Sequence, residues 1–223
     1  MTIDINTVPP GLEKTIHISN NNILAGKLPV MEMFYTVQGE GFHTGTPAFF
    51  VRLAGCDVGC VWCDVKESWQ VTDQQYISIS EIIRNALQFT SRIVVITGGE
   101  PFMYDLTQLL NEFKAAGFQT HIETSGAYEQ SGNAGWICVS PKKFKSPLES
   151  VLKIASELKV VIFHSSDYKW AETNAAMVNP GCQLFLQPEF EKSSHLLPEL
   201  VHYVKQHPQW RISLQTHKFI GIP

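Results

Sequence analysis

"AFFVRLAGCDVGCVWCD" (residues 48–64) passes without interruption from an apolar run into a loop holding three cysteines, Cys56, Cys60 and Cys63. Aromatic and β-branched residues bounded by a glycine predict a strand over 48–54. The same coupling of apolar run and polar loop recurs down the chain. "RIVVIT" (92–97) runs into "GGEP", "FQTHIE" (118–123) into "TSG", "WICVS" (136–140) into "PKK", "QLFLQ" (183–187) into "PEF" and "RISLQ" (211–215) into "THK". "LKVVIF" (158–163) is a further strand pattern. Helical patterns lie between most of these runs. In "DLTQLLNEFKAAG", Asp105 is placed to cap, Leu106, Leu109, Leu110 and Phe113 share a face, and Gly117 stops the helix. "SISEIIRNAL" carries a capping box of Ser78 with Glu81. Strand–helix alternation predicts a mainly parallel α/β sheet, doubly wound or barrel-like. Its polar motifs would then converge on the edge at the C-terminal ends of the strands, where such folds build their sites.

With 223 residues, 44% of them hydrophobic and 17% charged, the chain can bury a core as one domain. Its net charge is -4, and no basic run is longer than the Lys142–Lys143 pair. Nothing here suggests a phosphate-tracking groove, so a small-molecule substrate is expected and nucleic acid is not. No apolar stretch reaches signal-peptide or membrane-span length, so the expected location is the cytoplasm. Residues 1–29 hold a Pro-Pro pair, an Asn run and weak periodicity, and are expected to form an extension before a domain spanning 30–223.

Five cysteines in a reducing compartment do not make a disulfide framework. Structural zinc takes four ligands, usually as two separated pairs, whereas here there is one triplet. Cys138 and Cys182 lie beside other strands and are expected to be buried small hydrophobes. An iron-sulfur cluster suits the triplet better: three thiolates hold three irons of a four-iron cube and leave the fourth open.

Cys-x3-Cys-x2-Cys, with Trp62 before the last cysteine, and "GGEP" (98–101) together resemble the two signature motifs of the radical S-adenosylmethionine (SAM) enzymes. The resemblance implies a [4Fe-4S] cluster on Cys56, Cys60 and Cys63. Its open iron would chelate the methionine part of SAM, so that one electron from a reductant such as flavodoxin or ferredoxin cleaves the sulfonium to a deoxyadenosyl radical. Gly98 and Gly99 would let main chain approach the methionine amino group; taken alone, "GGEP" is an ordinary turn.

From Met31 to Pro223 the chain more closely resembles the 7-carboxy-7-deazaguanine synthases. The likeness is carried by "FYTVQGEGFHTGTPAFFVRLAGCDVGCVWCD" (34–64), "VVITGGEP", "IETSG", "VSPK", "LQP" and the terminal "QTHKFIGIP". It implies a partial, trimmed (β/α) barrel and a homodimer. It also implies a carbon-nitrogen lyase that contracts 6-carboxy-5,6,7,8-tetrahydropterin to 7-carboxy-7-deazaguanine with loss of ammonia, on the route to queuosine and other deazapurines. SAM contacts implied are Trp62, Asp64, Gly99, Glu100, Ser125, Ser140, Pro141, Lys142 and Gln187. Substrate contacts implied are Val37, Gln38, Gly39, Glu40, Arg52, Thr97, Glu123 and the carboxylate of Pro223. The chemistry suits a pterin: Glu123 can accept from its amino and ring N–H groups, and Arg52 can hold its carboxylate with a planar fork. Equally, Arg52 could pair within the sheet, Glu40 could serve its loop, and "PKK" could be a surface turn with Lys143 solvated. His121, His164 and His217 receive no catalytic role, since the radical starts the reaction.

The family's magnesium ligand is a threonine after Cys-Asp, and this chain has Val65 there. That leaves Asp64 as the remaining candidate and magnesium an open matter. A glycyl-radical activase would share the cysteines and "GGEP" without needing "QGEG", "ETSG" or the terminal motif. A non-enzymatic electron carrier would close its cluster with four cysteines.

Overall fold

The computed structural model describes residues 26–223. Strand β1 (Lys27–Val37) pairs antiparallel with β2 (Pro47–Leu53) and, on its other edge, with the short β3 (Tyr76–Ser78). From β2 onward every pairing is parallel. The strands are β4 (Ile93–Gly98), β5 (Gln119–Thr124), β6 (Trp136–Val139), β7 (Glu157–Ile162), β8 (Gln183–Pro188) and β9 (Trp210–Ile212). The order is β3-β1-β2-β4-β5-β6-β7-β8-β9, so among the described residues β3 and β9 are free edges and the sheet is a partial barrel.

Sequential parallel strands require crossovers, and the helices supply them on the convex face. They are α1 (Ile79–Ala86), α2 (Thr107–Ala115), α3 (Glu149–Lys153), α4 (Ser166–Ala175) and α5 (Ser193–Gln206); a last turn, α6 (Thr216–Ile220), follows β9. Val94 and Ile96 of β4, Ile122 of β5, Val139 of β6, and Leu158 and Val160 of β7 point to the helices and join Leu109, Leu110 and Phe113 of α2 in the core. Ser78 caps α1 by accepting from the Glu81 N–H at 3.3 Å. Asp105 accepts from the Thr107 N–H at 2.9 Å, so α2 begins two residues after its capping side chain.

The alternate positions face inward. Across the sheet the register aligns Arg52 with Thr97, Glu123 with Cys138, Cys138 with Glu157, Lys159 with Phe185, and Val161 with Gln187. This concave face is polar where the convex face is apolar, which is how a half-barrel carries a site on a packed sheet.

Three boundaries differ from the sequence reading. Lys27, Leu28 and Pro29 belong to β1, so the sheet starts before Val30; residues 1–25 of the expected extension lie outside the described residues. β1 and β3 carry no clean alternation, because β1 pairs on both edges and its register shifts between Val30 and Glu32. β9 ends at Ile212, where Ser213 leaves the ladder and donates through its hydroxyl to Gln187 at 2.7 Å.

Candidate active site

The cysteine loop is held open-mouthed at the end of β2. Gly55 and Cys56 donate backbone N–H bonds to Ser68 and Trp69 at 2.6 and 3.3 Å, and Cys63 donates to Cys60 at 3.1 Å. Asp57 fastens the loop from outside: its carboxylate accepts from Tyr128 at 2.5 Å and Lys145 at 2.8 Å. Cys56, Cys60 and Cys63 all line one cavity of ≈ 270 Å³ on the concave face. Burial pushes the Cys56 thiol up to about 11, aided by Glu100 and the other two thiols, so loading a metal there must displace protons. Three thiols on one wall with no fourth protein donor fit a four-iron cluster. Cys138 is buried on the floor below and Cys182 packs at the core edge, neither of them on this wall.

The second wall is built from the ends of β4, β5 and β6. Gly99 and Glu100 donate to Leu53 and Gly55 main chain at 2.8 Å each, which joins "GGEP" to the cysteine loop. A Cβ on Gly99 would meet the Gly55 carbonyl oxygen at 2.0 Å. Glycine is therefore demanded here first by backbone packing. Glu100 is 1% exposed, and its carboxylate accepts from Phe102 N–H, Thr124 hydroxyl and both Ser125 groups. It lines the cavity chiefly as a bracket between β4 and β5. Lys142 donates to Ser140 at 2.5 Å and lies over the Trp62 ring at 5.2 Å. Burial lowers its pKa. Ser125, Ser140, Trp62 and Gln187 line the cavity with it, whereas Pro141 is buried behind. Lys143 is not simply solvated: it pairs with Asp167 at 2.5 Å, tying "PKK" to α4.

The floor is where the sequence-level substrate residues meet. Glu123 accepts from Gln38 Nε2 at 2.8 Å and from Thr97 at 3.2 Å. Glu40 pairs with Lys159 and accepts from Gln215 at 2.8 Å. Burial works against a charge on Glu40, yet the Lys159 ammonium prevails and holds its carboxyl at about 2. Beside Trp136 the His43 and His121 rings lie 4.4 Å apart, tilted by 39°, and burial, reinforced by His43, pushes His121 down to about 4. Arg52 both lines the cavity and pairs within the sheet, through Nε to Glu32 at 2.6 Å. Gly39 is pressed against α6, where a Cβ would meet the His217 ring at 2.1 Å. The terminal motif returns to the same place: Pro223 lines the cavity with Val37, and its main-chain oxygen accepts from the Thr36 hydroxyl at 3.3 Å.

The donor set does not suit magnesium held as the family holds it. Val65 lines the cavity but its side chain has no oxygen and its carbonyl accepts from Ser68, and Asp64 already pairs with Lys218 at 2.6 Å. Burial opposes the Asp64 charge, but Lys218 lowers its pKa. Among the described residues no three His, Cys, Asp or Glu side chains are grouped to hold a single metal ion; a four-iron cube would instead spread the three thiolates over three irons.

Sequence reasoning missed Lys159, Gln215, His217 and Lys218, all of which line the cavity. A lysine in the middle of "LKVVIF" was the available signal, because a charge inside an apolar strand needs a buried partner. The other three sit in the terminal motif, whose approach to the β1–β2 loop only the fold reveals.

Comparison with known proteins agrees with this geometry. Residues 51–131 match the radical SAM superfamily. A 7-carboxy-7-deazaguanine synthase of Flavobacterium psychrophilum is 50% identical over 88% of this chain and 93% of its own. The synthase of the same name from Synechocystis is 43% identical over 91% and 97%, and that of Escherichia coli 33% identical over 87% and 98%. The crystal structure of QueE from Escherichia coli superposes with a TM-score of 0.78 at 31% identity, covering 89% of this chain and 100% of that one. Three thiols beside a glycine-rich strand end, in a cavity with a polar floor that Pro223 also lines, thus sit in a chain that belongs to the 7-carboxy-7-deazaguanine synthase family of radical SAM enzymes.

Proposed function

We propose that the cavity converts 6-carboxy-5,6,7,8-tetrahydropterin to 7-carboxy-7-deazaguanine with loss of ammonia, the reaction of a carbon-nitrogen lyase. The observation that carries this reading is the floor: a carboxylate, Glu123, framed by Gln38 and Thr97, in the cavity that Arg52, Pro223 and the three thiols also line. Cys56, Cys60 and Cys63 would hold a [4Fe-4S] cluster, and Lys142, Ser140, Ser125 and Gln187 line the space for SAM. When bound, cluster and SAM supply the radical that removes hydrogen from the substrate. The chain's own part is to bind and to orient. Glu123 accepts from the aminopyrimidinone N–H groups, and Arg52 faces the carboxylate.

Magnesium is given no role, because Lys218 supplies the positive charge beside Asp64. A one-electron reductant of flavodoxin or ferredoxin type, a homodimer and a cytoplasmic location belong to the same reading. Among the described residues no helix is long and apolar enough to cross a membrane. The test is reductive SAM cleavage by anaerobically reconstituted protein. Acceleration by 6-carboxytetrahydropterin is expected; acceleration by a peptide carrying a glycyl-radical site, or by neither, would remove the reading.

A further inference from the structure

Lys159 is the one cation on an inward position of β7, with a side chain 5% exposed. Placing an ammonium inside an apolar strand is costly unless it is paired. It is paired twice: with Glu40 from the β1–β2 loop, and with Glu123 of β5 at 3.9 Å. Glu40 is secured from its far side by Gln215, and Glu123 by Gln38 and Thr97. All three charges border the cavity. Two carboxylates and one ammonium leave a net single negative charge, facing the place where the pterin's donors are expected.

We infer that Lys159 is a positioning residue for this reaction: it lets Glu40 and Glu123 stay ionised together, so that Glu123 presents a full carboxylate to the substrate's amino and ring N–H groups. The inference rests on the functional reading above. Without the ammonium, two like charges would share a buried floor, and one would hold a proton to higher pH. The remaining titratable groups facing this trio are Cys138 on β6, Glu157 on β7, Lys142 after β6, His217 on α6, and Asp64, which shares Gln215 with Glu40 and is itself paired with Lys218. Glu157 adds negative charge and burial raises its pKa, while burial lowers the pKa of His217. Neither Lys142 nor His217 forms an ion pair with Glu40 or Glu123, so Lys159 is the counter-ion that matters.

The experiment is the pH profile of kcat/KM for 6-carboxytetrahydropterin in native protein, Lys159→Met and the double variant Lys159→Met/Glu40→Gln, with SAM affinity measured alongside. Lys159→Met should move the acid limb up by about one to two pH units, since a neighbouring like charge holds one proton. The double variant should move it back, because one of the repelling carboxylates is gone. SAM affinity should stay within about twofold throughout, since no member of the trio is hydrogen-bonded to a residue assigned to SAM. An unshifted limb in Lys159→Met, or a double variant whose limb stays as high as the single's, would mean that Lys159 only fastens the loop. Should Lys159→Met not fold, Glu40→Gln alone decides: the inference expects an acid limb unchanged or lower, and a raised one overturns it. Native turnover of the pterin is the control; if it is absent the functional reading fails, and if it is present with an unshifted limb only the role of Lys159 fails.

Discussion

At the scale of single residues, the site separates groups that hold ligands from groups that hold other groups. On the proposed function, Glu123 belongs to the first kind. Glu123→Gln should weaken pterin binding by about 1.5–3 kcal/mol, the range for a hydrogen bond to a charged group, with little change for SAM. Equal losses in the two titrations would place Glu123 elsewhere. Asp64 belongs to the second kind, since Lys218 already neutralises it and Val65 offers no oxygen. Turnover in magnesium-free buffer should therefore fall by no more than about twofold, because a hard cation lacking an oxygen ligand binds weakly. Val65→Thr should respond more strongly to added magnesium, and a native enzyme inactive without the ion would show that other groups hold it. The cysteine triplet, "GGEP" and the terminal motif were legible as residues because their chemistry is dense and local. Lys159 and Lys218 were not, because their meaning lies in partners 119 and 154 positions away.

At the scale of elements, strand ends are joined to one another by brackets that the apolar pattern does not encode. Seven strands were readable from their buried alternation, each within a few residues. β1 escaped because it pairs on both edges, with a register shift that breaks its period. Glu100 is the clearest bracket, accepting four hydrogen bonds while 1% exposed. Glu100→Ala would leave those donors buried and unpaired, at about 1–3 kcal/mol for each unsatisfied group. A loss of at least about 2 kcal/mol in urea unfolding of the apoprotein is expected, since relaxation recovers part of the total. No loss would assign Glu100 to ligand binding alone.

At the scale of the whole molecule, the open sheet is bridged on its concave face by the β1–β2 loop, which reaches β5, β7 and α6 through Glu123, Glu157, Lys159 and the Thr216 main chain. That floor makes stability depend on pH. His121 titrates at about 4 in the folded chain, against 6.5 for an unburied histidine. Below 6.5 the unfolded chain therefore binds more protons, and stability declines as the pH drops, down to about 4. Between pH 7 and 5 this should cost about 2 kcal/mol, and His121→Gln should remove that part of the slope. Urea midpoints at the two pH values check it, and an identical slope in the variant would clear His121. The most direct measurement is product analysis after anaerobic incubation of reconstituted protein with SAM, a one-electron reductant and 6-carboxytetrahydropterin. The expected result is 7-carboxy-7-deazaguanine and ammonia in equal amounts, both absent with Cys60→Ala. SAM cleavage that consumes no pterin, or product from Cys60→Ala, would contradict the account.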